Sequence, residues 1–134
     1  MALNNFSTDL FVLVVNGRQI TDFGETATPY TDAPIDAKSQ VRRGQGGGAV
    51  RLDRINPGRT VTLSLNPGSP DASYMQGLYN SKANITLSRQ QIGNLETAIG
   101  AEGAIVNDGQ NGRAGTTITD SQFIMEFNVW TEAK

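Results

Sequence analysis

Leu10–Val15 is an unbroken apolar run, "LFVLVV", followed by Asn16-Gly17 and then "RQITDF". Asn-Gly supplies the two positive-φ residues of a type I′ turn, so the stretch predicts a β-hairpin. Leu10, Val12 and Val14 take one face of its first strand, and Phe11, Leu13 and Val15 the other. A strand apolar on both faces must be covered on both, by its own fold or by another subunit. Pro29 and Pro34 make Thr26–Ile35 turn-rich. In "TVTLSL" Val61, Leu63 and Leu65 alternate with Thr and Ser, which predicts a strand with one polar face. One helix is expected next. Ser69 is its N-cap, Pro70 its first residue and Asp71 lies at the positive end of the dipole. Tyr74, Met75, Leu78 and Tyr79 form its apolar stripe. Ala83–Gln91 reads as another alternating strand, and Gly93–Gly115 as mostly loop around a short apolar piece, Ala104–Val106. The last strand places Phe123, Met125, Phe127 and Val129 on one face and Ile124, Glu126, Asn128 and Trp130 on the other.

These elements predict a mainly β fold: an antiparallel β-sandwich or barrel with one short α-helix and a long protruding β-hairpin loop. Residues 1–134 are expected to form one domain, long enough to bury a core without disulfides. The apolar run near the start has no basic segment before it and is too short for a signal or a membrane span.

Composition narrows the chemistry. The chain has neither histidine nor cysteine. That removes Ser-His-Asp triads, thiolate nucleophiles and zinc sites built on those residues. No catalytic residue, cofactor or metal site is expected. The scattered carboxylates Asp9, Asp22, Glu25, Asp32 and Asp36 could serve a glycosidase only if two converged in space, and turn positions explain them more simply. "NDGQNG" at Asn107–Gly112 has too few acids for a calcium loop and reads as a turn. Tyr74, Tyr79 and Trp130 lie apart from the arginines, which favours packing over base stacking.

The charge is segregated. Between Lys38 and Arg59 six cations face the single acid Asp53, a window of +5 in a chain of net charge −2, which leaves −7 for the remainder. At its centre stands "RRGQGGGAVRLDR". It is no P-loop, because no Gly-Lys-Ser/Thr follows. Ile35–Arg43 and Ala49–Ile55, joined through Gly44–Gly48, instead suit a hairpin arm about 20–30 Å long at about 3.3 Å per residue. Such an arm is marginal alone and orders against something. Val41, Val50, Leu52 and Ile55 offer apolar contacts, and the arginines suit acidic partners, the rest of the same chain among them.

The order of these features resembles the tail-tube proteins of contractile-tailed bacteriophages. The resemblance rests on "VLVVNGRQITDF", "RRGQGGGAVRLDR", "RTVTLSLNPGSPDASYMQGLYNSKA" and the closing strand that ends in Trp130, and it spans nearly the whole chain. It implies a structural protein of the virion tail, assembled in the host cytoplasm, whose hexameric rings stack into a hollow tube. DNA would pass through an acidic lumen without specific binding. Sheath, tape-measure and baseplate proteins would be its partners, and no membrane. The inter-ring arm would comprise Val41, Arg42, Arg43, Gly44, Gly46, Gly47, Gly48, Val50, Arg51, Leu52 and Arg54. Three alternatives stand beside this: a tube-like baseplate or injection-system component, a nucleic-acid-binding β-barrel using the basic arm, and a carboxylate-dependent enzyme.

Overall fold

The computed structural model describes residues 10–92 and 96–134. Among these residues nine strands and one helix follow in chain order: β1 (Phe11–Val15), β2 (Arg18–Ile20), β3 (Tyr30–Pro34), β4 (Ser39–Arg43), β5 (Ala49–Asp53), β6 (Arg59–Leu65), α1 (Pro70–Ser81), β7 (Ile85–Gln91), β8 (Glu96–Asp108) and β9 (Ser121–Ala133). Seven strands form one antiparallel sheet in the order β2-β1-β7-β8-β9-β6-β3, and β4 pairs with β5 alone. The mainly β fold with one helix and a projecting hairpin is therefore as the sequence predicts.

The sheet curls back on itself. β2 and β3 are its outermost strands, yet Phe23, just beyond β2, forms an antiparallel bridge with Leu65 at the end of β6. The Phe11 ring on β1 also meets Tyr30 on β3 at 5.4 Å and Phe23 at 5.9 Å. The result is an open barrel filled by Leu13, Val15, Val61, Leu63, Ile85, Leu87, Met125 and Phe127, all at most 2% exposed.

Local chemistry accounts for the elements. Asn16 and Gly17 have φ of 49° and 85°, as the hairpin turn requires, and Val15 pairs with Arg18 across it. The Asn16 side chain also accepts from the Thr86 N–H at 2.8 Å, joining the turn to β7. The Ser69 hydroxyl accepts from the Ala72 N–H, with Pro70 at the helix start. Asp71 does more than complement the dipole. It is 2% exposed and accepts from the backbone N–H groups of Thr21 and Asp22 and from Arg18 Nε at 2.8–3.0 Å. It thereby pins α1 to the chain leaving β2, while Met75 enters the core.

Three expectations need correction. The turn-rich stretch contains the strand β3, and Pro34 is tolerated because β3 is an edge strand. The segment read as mostly loop from Gly93 contains β8, thirteen residues long; its positions 93–95 lie outside the described residues. Its glycines mask the strand signal, but they are needed for space. A Cβ on Gly103 would collide with the Phe127 ring, and one on Gly100 would lie 2.9 Å from Phe127 and Trp130.

The third correction concerns β9. Trp130, not Val129, packs with the core beside Phe127. The inward positions change phase on β8 too, from Ala98 and Gly100 to Gly103 and Ile105. Glu102, with φ of 54°, lies within that phase change, and the β7–β8 register shifts there. The irregularity accommodates an extra residue and turns the face over. Strict alternation carried through it gives the wrong residue.

Gly103→Ala is expected to destabilise the fold by about 1–3 kcal/mol through overpacking against Phe127. Gly77→Ala is the control, because a Cβ there meets open space and gains about 1 kcal/mol of helix propensity. Chemical denaturation of both variants should show opposite shifts in midpoint.

Candidate assembly surface

Among the described residues the arm is exposed throughout. Every residue of β4 and β5 is exposed, and the two strands pair from Ser39–Asp53 to Arg43–Ala49. Gly44 N–H donates to Gly48 O at 2.8 Å to close the tip, and Gly47 adopts φ of 91°, where a side chain would be strained. At the root, Ile35 and Asp36 donate to Gly58 and Pro57, and Arg54 donates to Lys38 O. The arm is thus the β3–β6 pairing continued beyond the barrel.

The register sorts the arm residues. Val41 and Arg51 lie opposite each other on one face, with Arg43 and Ala49 beside the tip. Arg42 opposes Val50 on the other face, and Gln40 opposes Leu52. Gly44, Gly46, Gly47 and Gly48 form the turn, and Arg54 stands at the root. The basic charge is smaller than the sequence window suggests. Arg51 pairs with Asp53 at 2.9 Å, Arg54 lies 3.9 Å from Asp36, and Arg59 points into the barrel. Among the described residues Lys38, Arg42 and Arg43 have no ion-pair partner.

A second surface is a charge-free patch on part of the outer sheet face; farther along β8 and β9 that face carries the exposed Glu102 and Glu126. The residues of β1, β7, β8 and β9 that alternate with the core positions include Val12, Val14, Ser88, Gln90, Thr97, Ile99, Thr131 and Ala133. Ile99 is 59% exposed in their midst. Protein surfaces normally intersperse charges, so a charge-free patch spanning four strands marks a surface suited to burial.

The missing charges are inside. Arg89 follows Ile85 and Leu87 on the inward face of β7 and is 8% exposed. Its Nε donates to Asp32 Oδ2 on β3 at 3.0 Å, and its Nη1 to Glu96 Oε1 on β8 at 2.9 Å. Its Nη2 donates to Glu132 on β9. Arg59 on β6 donates to the other oxygen of Asp32 through Nε at 3.0 Å and again through Nη2, and its guanidinium lies 5.5 Å from the Trp130 ring centre. Five strands meet in this cluster, which pins the two strands that become the arm.

Both buried aspartates are held ionised. Burial alone would raise Asp32, but hydrogen bonds from Arg59 and the charges of Arg89 and Arg59 outweigh it and hold the carboxyl below its ordinary value. Burial likewise opposes ionisation of Asp71, and the N–H groups of Thr21 and Asp22 with Arg18 reverse the sign. The cluster was missed from sequence although a signal existed: Arg89 is in phase with Ile85 and Leu87. The scattered carboxylates are not paired for acid–base chemistry. Asp32 is committed to the arginines, Asp36 lies at the arm root beside Arg54, and Asp9 falls outside the described residues. Among the described residues no group of acids could hold a metal ion.

No protein-family model matches the chain, and no curated protein matches it. Solved structures do. One is the anti-feeding prophage cap, the AFP tube terminating cap, with TM-score 0.62 and 15% identity over 99% of this chain and 93% of the other. The sheath/tube terminator of an extracellular contractile injection system, PVC, in its extended state gives TM-score 0.61 at 13% identity and covers 100% of both chains. A chain of the PVC sheath-tube complex in the extended state gives 0.59 at 14% identity, over 96% of this chain and 91% of that one. The chain therefore shares the fold of components of contractile tail-like particles, the fold that the resemblance to tail-tube proteins implies.

Asp32→Ala is expected to cost about 3 kcal/mol, because it takes from Arg59 its hydrogen-bonded carboxylate and from Arg89 one of three. The lowered carboxylates fix a pH dependence. The stability each adds is fully present above the ordinary aspartate value of about 4 and is lost as pH falls through the lower folded value. The melting temperature should hold between about pH 5 and 7 and drop below about pH 4. Asp71→Asn should flatten part of that drop, which a pH series of thermal melts reads directly.

Proposed function

We propose that this chain is a structural subunit of the tube of a contractile tail-like particle, self-assembling through its arm and the uncharged patch of its sheet. One observation carries the reading: a two-stranded arm, exposed along its whole length, extends from the best-pinned strands of the barrel. A hairpin of this kind is marginal in water and is completed only by a partner. The whole-length fold likeness to tube, terminator and cap structures supports that partner being another copy.

In this reading hexameric rings stack into a hollow tube, with the arm residues Val41–Arg43, Gly44, Gly46–Gly48, Val50–Leu52 and Arg54 bridging to the adjacent ring. The tube would lie inside a sheath, above a baseplate and around a tape-measure protein, in a phage tail or a related particle, and would carry DNA or another cargo without catalysis. A lumen lined by the charge-free patch, or by that patch with the acids beside it, would pass DNA without holding it. Asp32, Glu96 and Glu132 are turned to the buried arginines, so an acidic lumen would draw on exposed acids such as Glu102 and Glu126.

A terminator at the tube end is the second reading, favoured by the whole-chain likeness to a tube terminating cap and a sheath/tube terminator. Nucleic-acid binding is disfavoured by the arm's few free cations.

Negative-stain microscopy and sedimentation velocity across a concentration series should show rings or hollow tubes for a tube subunit, and rings that stop at one or two layers for a terminator. Deleting Gly44–Gly48 should leave a folded protomer that does not stack; normal tubes from that variant would sink the arm reading. Arg42→Glu with Arg43→Glu should raise the concentration needed for stacking by about tenfold or more, equivalent to about 1.4 kcal/mol or more per contact.

A further inference from the structure

A groove of about 880 Å³ opens where the arm leaves the barrel. Its walls include Ile35, Pro57 and Val106, and its charged residues are Asp36, Glu102 and Glu126, with no lysine or arginine among those lining it. Ile35 and Val106 are each 47% exposed, so an apolar surface lies open beneath an acidic rim. Glu102 Oε2 accepts from Asn128 Nδ2 at 2.8 Å, which fixes that carboxylate at the rim.

The arm tip has the complementary composition. Arg42 and Arg43 lack ion-pair partners among the described residues, and Val41 and Val50 are 62% and 59% exposed. We propose that the groove receives the arm tip of a second copy, with Arg42 and Arg43 against Glu102 and Glu126 and the tip valines against Ile35 and Val106. This rests on the reading of the arm as an intersubunit contact and names the surface it contacts.

A protomer cannot fill its own groove. About ten residues at about 3.3 Å each separate the root at Ile35 from the tip at Gly44, so the tip stands about 30 Å away on a paired ribbon. Tip and groove are different patches of one molecule, so a copy can give its arm to one neighbour and accept an arm from another. Used head-to-tail in this way the contact propagates, as stacking requires, whereas reciprocal exchange between two copies would close a two-fold pair.

The chain has no cysteine, which makes disulfide trapping specific. Full-length Arg43→Cys and full-length Glu102→Cys, mixed in equal amounts under mild oxidation, should give the mixed dimer at least tenfold faster than Arg43→Cys mixed with Lys82→Cys, a control at the end of α1. Equal rates would overturn the groove assignment. Glu102→Gly with Glu126→Gln removes two rim charges and suits the positive φ of Glu102. It should keep the wild-type melting temperature while raising the stacking concentration about tenfold. Unchanged stacking would likewise overturn the assignment. Tubes that need the arm but neither trap at Glu102 nor respond to the rim variant would leave the tube reading intact and place the tip elsewhere.

Discussion

Arg89 is the constraint on which the rest of the structure depends. One guanidinium joins β7 to β3, β8 and β9, and Asp32 extends the linkage to β6. A seven-stranded sheet has no intrinsic reason to stop curling at a given radius, and the reach of one arginine side chain across the interior helps to set it. Desolvating these groups is costly, and an apolar cluster of equal volume could be more stable. Directional bonds, however, specify which strands face each other. Here they hold β3 and β6 in the positions from which the arm departs.

Charge placement then follows a simple division. Ionised groups lie inside the barrel, at turns, at the groove rim formed by Glu102 and Glu126, and on the arm, while the outer patch around Val12, Val14, Ser88, Gln90, Thr97, Ile99, Thr131 and Ala133 carries hydroxyls, amides and aliphatic side chains. A barrel with an apolar interior throughout would carry those charges outside, where they would resist burial against a neighbour. Placing them within spares the outer patch the penalty of desolvating charges when it is covered.

The elements with local signals were legible from sequence. Asn16-Gly17, Ser69-Pro70 and the alternation of Val61, Leu63 and Leu65 each have a short-range cause, and each is found as read. The arm was legible for the same reason, since glycines between two β-prone flanks leave few alternatives. β8 was not legible, because its glycines serve the rings of Phe127 and Trp130 on the next strand and that need is invisible in one segment. The phase change near Glu102 likewise depends on pairing, and it moved Trp130 rather than Val129 into the core. Charge was legible as a sum but not as a distribution. Arg59 counts towards the basic window in sequence and belongs to the barrel interior in space.

The junction of arm and barrel has a mechanical consequence. Any pull on the arm enters the barrel along β3 and β6, and β6 is hydrogen-bonded on both sides, to β3 and to β9. Ladder bonds lie across the strand direction, so a tensile load along β6 shears its bonds together instead of peeling them one after another. Asp32 and Arg59 pass part of that load across the interior to β7. The protomer is thus stiff along the direction of its arm, and a filament joined arm to root would transmit force through pinned strands rather than through loops.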